Sequence, residues 1–190
     1  MAVEKQNKNG RLKLKQDLAK GSFETLYILY GEEAYLREYY LRQLRKKVVD
    51  ETFADFNLIE LDGKTLTLES LTEAVDSYPA MSERKLVIVT DFNIYAPPAS
   101  FGDQLIDLLS DLPDYVCLIF YFDILEAKPD KRTKIYKLLE KKACTAEFAR
   151  LEEKELIERL ERRARELNCI ISDEVGGQAV LGRQRRRATP

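Results

Sequence analysis

Leu26-Tyr-Ile-Leu-Tyr-Gly-Glu-Glu-Ala-Tyr-Leu-Arg-Glu38 is the stretch that decides the fold, because its pattern changes at a single glycine. Before Gly31, residues 25–30 form a β-rich apolar run, which predicts a buried strand. From 33 to 49 the pattern predicts an amphipathic helix, with Arg37 and the other basic residues away from its apolar face. The apolar face repeats every four residues at Leu36, Tyr40, Leu44 and Val48. A strand, a glycine turn and a helix in this order are typical of a P-loop unit.

The alternation of strand and helix continues along the chain. Further strands are predicted at 56–61, 86–91, 116–122 and 143–148, and helices at 12–20, 67–78, 102–109 and 131–142. The third and fourth strands are continuous apolar runs, which is the pattern of parallel strands covered on both faces. We therefore expect an α/β fold with a five-stranded parallel sheet flanked by helices.

The periodicity divides the chain into three parts. Residues 1–150 carry the α/β pattern, and residues 151–175 are predicted to begin a helical second domain. Residues 176–190 have no periodicity and are interpreted as a disordered or non-native tail. No apolar run approaches the roughly 18 residues of a membrane helix, and the polar N-terminus has no apolar signal core. A cytoplasmic protein is expected.

Composition excludes several kinds of catalytic and metal site. The 190 residues include no histidine, which removes the histidine-dependent nucleophile systems and the most common metal ligand. The three cysteines, Cys117, Cys144 and Cys169, form no CxxC pair, so neither a zinc site nor a disulfide framework is expected. The formal net charge of −2 gives no general argument for nucleic-acid binding.

The residues after Gly31 depart from a working phosphate loop. That loop needs the pattern G-x-x-x-x-G-K-S/T, in which glycines expose backbone N–H groups, lysine reaches the outer phosphates and the hydroxyl binds magnesium. Its last three positions are taken here by Leu36, Arg37 and Glu38. Asp91 ends the third strand as a magnesium ligand would, but Phe92 follows it where an ATPase typically has a glutamate. The pattern predicts a degenerate nucleotide site with no cofactor.

Two alternatives stay open from these residues alone. One is an α/β domain unrelated to nucleotide-binding proteins. The other is a divergent P-loop nucleotide-binding enzyme in which Arg37 imitates the lysine.

Four stretches, in order and at matching spacing, resemble the delta subunit of bacterial DNA polymerase III. They are residues 26–38, Phe56-Asn-Leu-Ile-Glu-Leu-Asp-Gly63, Tyr78-Pro-Ala-Met-Ser-Glu-Arg-Lys-Leu-Val-Ile-Val-Thr-Asp91 and Lys128-Pro-Asp-Lys-Arg-Thr-Lys-Ile-Tyr-Lys-Leu-Leu139. The resemblance implies a clamp-loader subunit with an AAA+-like first domain that does not hydrolyse ATP. It also implies three domains, of which this chain holds the first and the start of the second without the collar.

The same resemblance implies the partners and the binding element. The partners are the sliding clamp (beta), the gamma/tau and delta prime subunits where a collar is present, and DNA through the complex, with no membrane. The clamp-binding element corresponds to Tyr78, Pro79, Ala80, Met81 and Ser82. Since Ala80 is small, only Met81 is expected to fill a pocket deeply. The alternative is that Met81 packs back on its own domain. Tyr78 is also predicted to be the last residue of the apolar stripe of the preceding helix.

A basic helix raises a further possibility. Lys131, Arg132, Lys134 and Lys137 are candidate DNA contacts, although no stacking aromatic residues alternate with the basic ones. The alternative is a solvated helix face.

Overall fold

A computed structural model describes residues 2–149, in which strands and helices alternate. The strands are β1 (Leu26–Tyr30), β2 (Leu58–Asp62), β3 (Lys85–Thr90), β4 (Val116–Tyr121) and β5 (Cys144–Glu147). The α-helices are α1 (Ala2–Lys20), α2 (Ala34–Val48), α3 (Ala54–Asn57), α4 (Leu68–Asp76), α5 (Gln104–Ser110) and α6 (Lys134–Lys142). A short 3₁₀ turn, Glu51–Phe53, precedes α3.

The five strands form one parallel sheet in the order β2-β3-β4-β1-β5. Every residue of β1 and β4 is buried, as the continuous apolar runs predict. The predicted five-stranded parallel α/β sheet is therefore confirmed. Because all strands run the same way, the turns that follow β1, β3 and β4 lie together at the carboxyl edge, where open α/β sheets bind ligands.

Helices cover both faces of the sheet, which explains why its central strands are apolar throughout. On one face, a single core cluster contains Ile28, Val87 and Phe120 from the strands with Leu71, Leu105 and Leu139 from α4, α5 and α6. On the other face, the hydroxyl of Tyr27 donates to Oδ2 of Asp17 in α1 at 2.8 Å, and α2 contacts β1 and β3. Alternate residues of each strand therefore pack in different cores.

Helices α4 and α6 are shorter than predicted, for local reasons. Helix α4 begins as expected after Thr67, whose hydroxyl accepts the Ser70 N–H at 3.1 Å, but it ends at Asp76. The extended backbone required before Pro79 stops the helix early, so Tyr78 was wrongly placed on its apolar stripe. Helix α6 begins at Lys134 rather than residue 131, because Thr133 takes the N-cap position.

The start of β2 was also wrongly predicted. Residues 56 and 57 belong to α3, and the strand begins at Leu58. The side chain of Asp50 accepts the Thr52 N–H at 2.8 Å, which starts the 3₁₀ turn that leads into α3.

The remaining domain predictions, for 151–175 and 176–190, lie outside the described residues. Within the described part of the chain, no helix combines the length and apolar character needed to span a membrane.

Candidate functional site

The loop that the sequence predicts to be a degenerate phosphate loop contains a buried arginine. The prediction that Arg37 faces away from the core is wrong, because its side chain has internal partners and is only 4% exposed. Its guanidinium donates to the carbonyl of Gly31, and at 2.9 Å to the carbonyl of Asp123, whose carboxylate is 3.3 Å away. It also lies 5.3 Å from the ring centre of Tyr121. These oxygen acceptors and the ring compensate the buried charge, which arginine's planar fork suits well.

The backbone of the loop between β1 and α2 also makes internal contacts, with Phe148. Gly31 has φ +122°, and a Cβ there would lie 2.4 Å from the carbonyl oxygen of Phe148. The N–H of Glu33 donates to that same oxygen at 2.9 Å. The loop therefore packs against the residue that follows β5, and this N–H group is directed at a protein carbonyl rather than outward.

The four predicted loop residues do not converge on one site. Gly31 and Arg37 meet, and Leu36 is buried in the apolar face of α2. Glu38 points to solvent, where its carboxylate lies 3.6 Å from Nε of Arg42.

Asp91, at the position of a magnesium ligand, binds backbone instead. Its Oδ1 accepts N–H groups of Asp123, Ile124 and Leu125 at 2.8, 3.0 and 3.0 Å. Asp91 has φ +56°, a conformation that aspartate tolerates better than most residues. Phe92 is buried, its ring 4.9 Å from that of Phe101. Among the residues that the structure describes, no group of three acidic or cysteine side chains is arranged to hold a metal ion.

A second feature lies at the opposite edge of the sheet, in the segment between α4 and β3. We call residues 78–82 the tip. Met81 is 86% exposed and Tyr78 is 82% exposed, while Pro79, Ala80 and Ser82 are partly buried. Met81 does not pack back on the domain, and it has a left-handed backbone with φ +51°. The structure therefore brings the five predicted tip residues together, with two large apolar side chains in solvent.

Two buried polar side chains, not identified from the sequence, hold the base of the tip. Asn57, fully buried at the end of α3, pairs with the backbone of Ala80. Lys85, 1% exposed, donates to the carbonyl and, at 2.8 Å, to the hydroxyl of Ser77. Its ammonium lies 5.7 Å from the ring centre of Tyr115, and that ring centre is 5.0 Å from the ring centre of Tyr78 at a tilt of 33°. The burial of these two side chains could not be recognised from the sequence, because asparagine and lysine are mostly surface residues.

The buried position of Lys85 predicts a pH dependence of stability. Burial lowers the pKa of Lys85 to about 8, although nearby Asp76 acts in the opposite direction. Between pH 8 and the ordinary lysine pKa of about 10.4, the unfolded chain binds more protons than the folded chain, so the contribution of Lys85 to stability rises with pH. In urea unfolding, the free energy of unfolding of the parent should rise relative to that of the Lys85→Met variant from pH 8 to 10. A constant difference between them across that range would contradict the lowered pKa.

The predicted DNA-contacting residues lie on and before α6, and all four are exposed: Lys131, Arg132, Lys134 and Lys137. Arg132 is already engaged, because its guanidinium donates to Asp130 at 3.1 and 2.9 Å. These bonds lower the pKa of Asp130 to about 2. Lys134 also lies 3.8 Å from the carboxylate of Asp103, so Lys131 and Lys137 are the members of the predicted set for which no ion pair is seen in the described part of the chain.

The fold and these sites define a class of protein: a parallel α/β domain in which the loop between β1 and α2 is closed by internal contacts. A family model described as "DNA polymerase III, delta subunit" matches residues 27–149. The chain belongs to that family.

A match in sequence and a match in structure agree with the family assignment. The DNA polymerase III subunit delta of Bacillus subtilis is 29% identical over 171 residues, which cover 87% of this chain and 49% of that protein. The solved structure of the Bacillus subtilis DNA clamp loader delta protein matches with a TM-score of 0.72 at 27% identity, covering 90% of this chain and 51% of that one. The match agrees with the α/β fold and its five-stranded parallel sheet flanked by helices. The chain spans about half the length of these relatives.

Proposed function

We propose that the chain acts in DNA replication as the clamp-binding part of a clamp loader. Its tip inserts Met81 into an apolar pocket of the sliding clamp and helps to hold one interface of the clamp ring open. The observation that carries this proposal is the exposure of Met81 on a buried polar base. The name of the matching solved structure, a clamp loader delta protein, supports the assignment.

The chemistry of the tip suits a protein interface. A few apolar or aromatic anchors usually supply most of the binding energy of such a surface. Methionine adapts to an irregular pocket because its side chain is flexible and polarisable. Tyr78 supplies a second apolar surface beside it, where Ala80 leaves room. Binding of the purified chain to the sliding clamp, compared with a Met81→Asp variant, tests the proposal.

We further propose that the domain has no ATPase activity of its own and serves as a non-catalytic subunit of the polymerase complex. The alternative function, a divergent nucleotide-binding enzyme, would need a free cation and a free carboxylate at the carboxyl edge. Arg37 and Asp91 are both engaged with the segment that follows β4. The gamma/tau and delta prime subunits, and DNA reached through the complex, are proposed as further partners, with the lysines of α6 as an auxiliary DNA surface.

Magnesium-ATP is not expected to bind this domain. The Arg37 guanidinium would have to leave its three oxygen acceptors, and Glu32 adds negative charge beside the loop. Isothermal titration of the chain with magnesium-ATP should give only heats of dilution, as should ATP without magnesium. A saturable isotherm of one ATP per chain would overturn the proposal of a non-functional nucleotide site and favour the enzyme alternative.

A further inference from the structure

Asn57 makes an unusually complete set of hydrogen bonds with the tip. Its Oδ1 accepts the N–H of Ala80 at 2.7 Å, and its Nδ2 donates to the carbonyl of Ala80 at 2.8 Å. The same Nδ2 also lies 3.1 Å from the hydroxyl oxygen of Ser82. The amide thus engages both polar groups of one tip residue and a side chain two positions further on. Since Asn57 is fully buried, these bonds replace the water that both partners would otherwise bind.

Met81 lies between the two residues that Asn57 holds. Its φ of +51° is in the left-handed region, where the Cβ of most residues crowds the following carbonyl. A residue keeps such a conformation only when its surroundings impose it, and these conformations cluster at functional sites. Here the constraint comes from both sides of Met81, through Ala80 and Ser82. The outcome is a large apolar side chain directed into solvent from a fixed backbone.

We infer that Asn57 is the positioning residue of the tip, which fixes the backbone of Met81 and thereby sets the affinity for the sliding clamp. The inference rests on the proposed function of the tip. A partner that receives Met81 does not have to order a mobile loop, and such preorganisation strengthens binding. Lys85 binds Ser77, the residue just before the tip, and therefore cannot replace the hold on Ala80 and Ser82.

Other side chains cannot reproduce the role of Asn57. Both a donor and an acceptor are required at one short amide, because the N–H and the carbonyl of Ala80 are paired together. Aspartate would place a buried carboxylate against the Ala80 carbonyl, and alanine would leave both groups of Ala80 unpaired. Asn57 makes no contact with the clamp in this scheme, since it is fully buried behind the tip.

The test compares Asn57→Ala with the parent chain, using purified bacterial sliding clamp immobilised for surface plasmon resonance. The expected result is a roughly ten-fold weaker Kd that arises in the off-rate, since most interface changes act there. Amide hydrogen exchange should show lost protection at Ala80 with β3 still protected. Ser82→Ala, which removes one bond from a partly buried side chain and keeps the fold, should raise the off-rate two- to three-fold.

Controls separate this inference from the proposed function and from general destabilisation. Ile119→Ala weakens the buried centre of β4 without touching the tip, so it should lower the melting temperature and leave the Kd unchanged. Met81→Asp should abolish binding while Ala80 keeps its protection. If Met81→Asp loses binding but folded Asn57→Ala and Ser82→Ala bind as the parent does, the positioning role is wrong and the proposed function stands. If Met81→Asp binds normally, or the parent does not bind, the proposed function itself fails.

Discussion

Met81→Asp should weaken binding of the chain to the sliding clamp by at least about 100-fold, near 3 kcal/mol, which is the range of an interface hot spot. Met81 is the most exposed large apolar side chain among the described residues, so the change removes little packing inside the domain. A carboxylate carried into an apolar pocket would instead lose its hydration without gaining a partner. Surface plasmon resonance on immobilised clamp, with the melting temperature measured in parallel, gives both quantities.

A matched control for this change is Ile124→Asp. Ile124 is 83% exposed and lies in the segment after β4, at the carboxyl edge of the sheet and far from the tip. It loses a similar apolar side chain and gains the same charge, so the expected Kd is that of the parent. Equal loss of binding in both variants would point to net charge as the cause. Full binding by Met81→Asp would show that the tip is not the contact.

The sheet could be predicted from the sequence because its determinants are local and repeated. Strands β1 and β4 are apolar throughout, β3 is apolar from Leu86 to Val89, and each is followed by a helix with one apolar face. The position of the tip came from the resemblance, and Pro79 marked where its helix had to end. The apolar runs and the proline act on neighbouring residues in the sequence, so the strands and the end of the helix could be predicted without knowledge of the tertiary contacts.

Arg37 and Asn57 could not be predicted because their partners are distant in sequence. Arg37 is buried only because the carbonyl and carboxylate of Asp123, 86 residues away, lie within reach. Asn57 meets Ala80 and Ser82 across 23 and 25 residues. Helical periodicity assigns an arginine to solvent and a β-rich run assigns an asparagine to a strand. Pairing of buried polar groups overrides both tendencies.

Asp91→Ala should lower the free energy of unfolding by about 2–4 kcal/mol, as expected for losing a cluster of charge-assisted hydrogen bonds. Three N–H groups, from residues 123–125, converge on one carboxylate oxygen. Alanine removes that acceptor and is also strained at φ +56°, where aspartate is tolerated. The segment after β4 should then loosen and release its contacts with Arg37, leaving a buried guanidinium with fewer partners. Urea unfolding of parent and variant measures the loss.

Two further variants divide that loss into its causes. Asp91→Asn keeps one oxygen acceptor and tolerates the left-handed backbone, so it should retain about half of the stability difference, because neutral hydrogen bonds are weaker than charge-assisted ones. Asp91→Gly relieves the backbone strain but has no acceptor, so a stability close to that of alanine would identify the hydrogen bonds as the main contribution. Clamp binding should be unchanged in all three, because the tip lies at the other edge of the sheet. If Asp91→Ala is as stable as the parent, the carboxylate does not hold this segment.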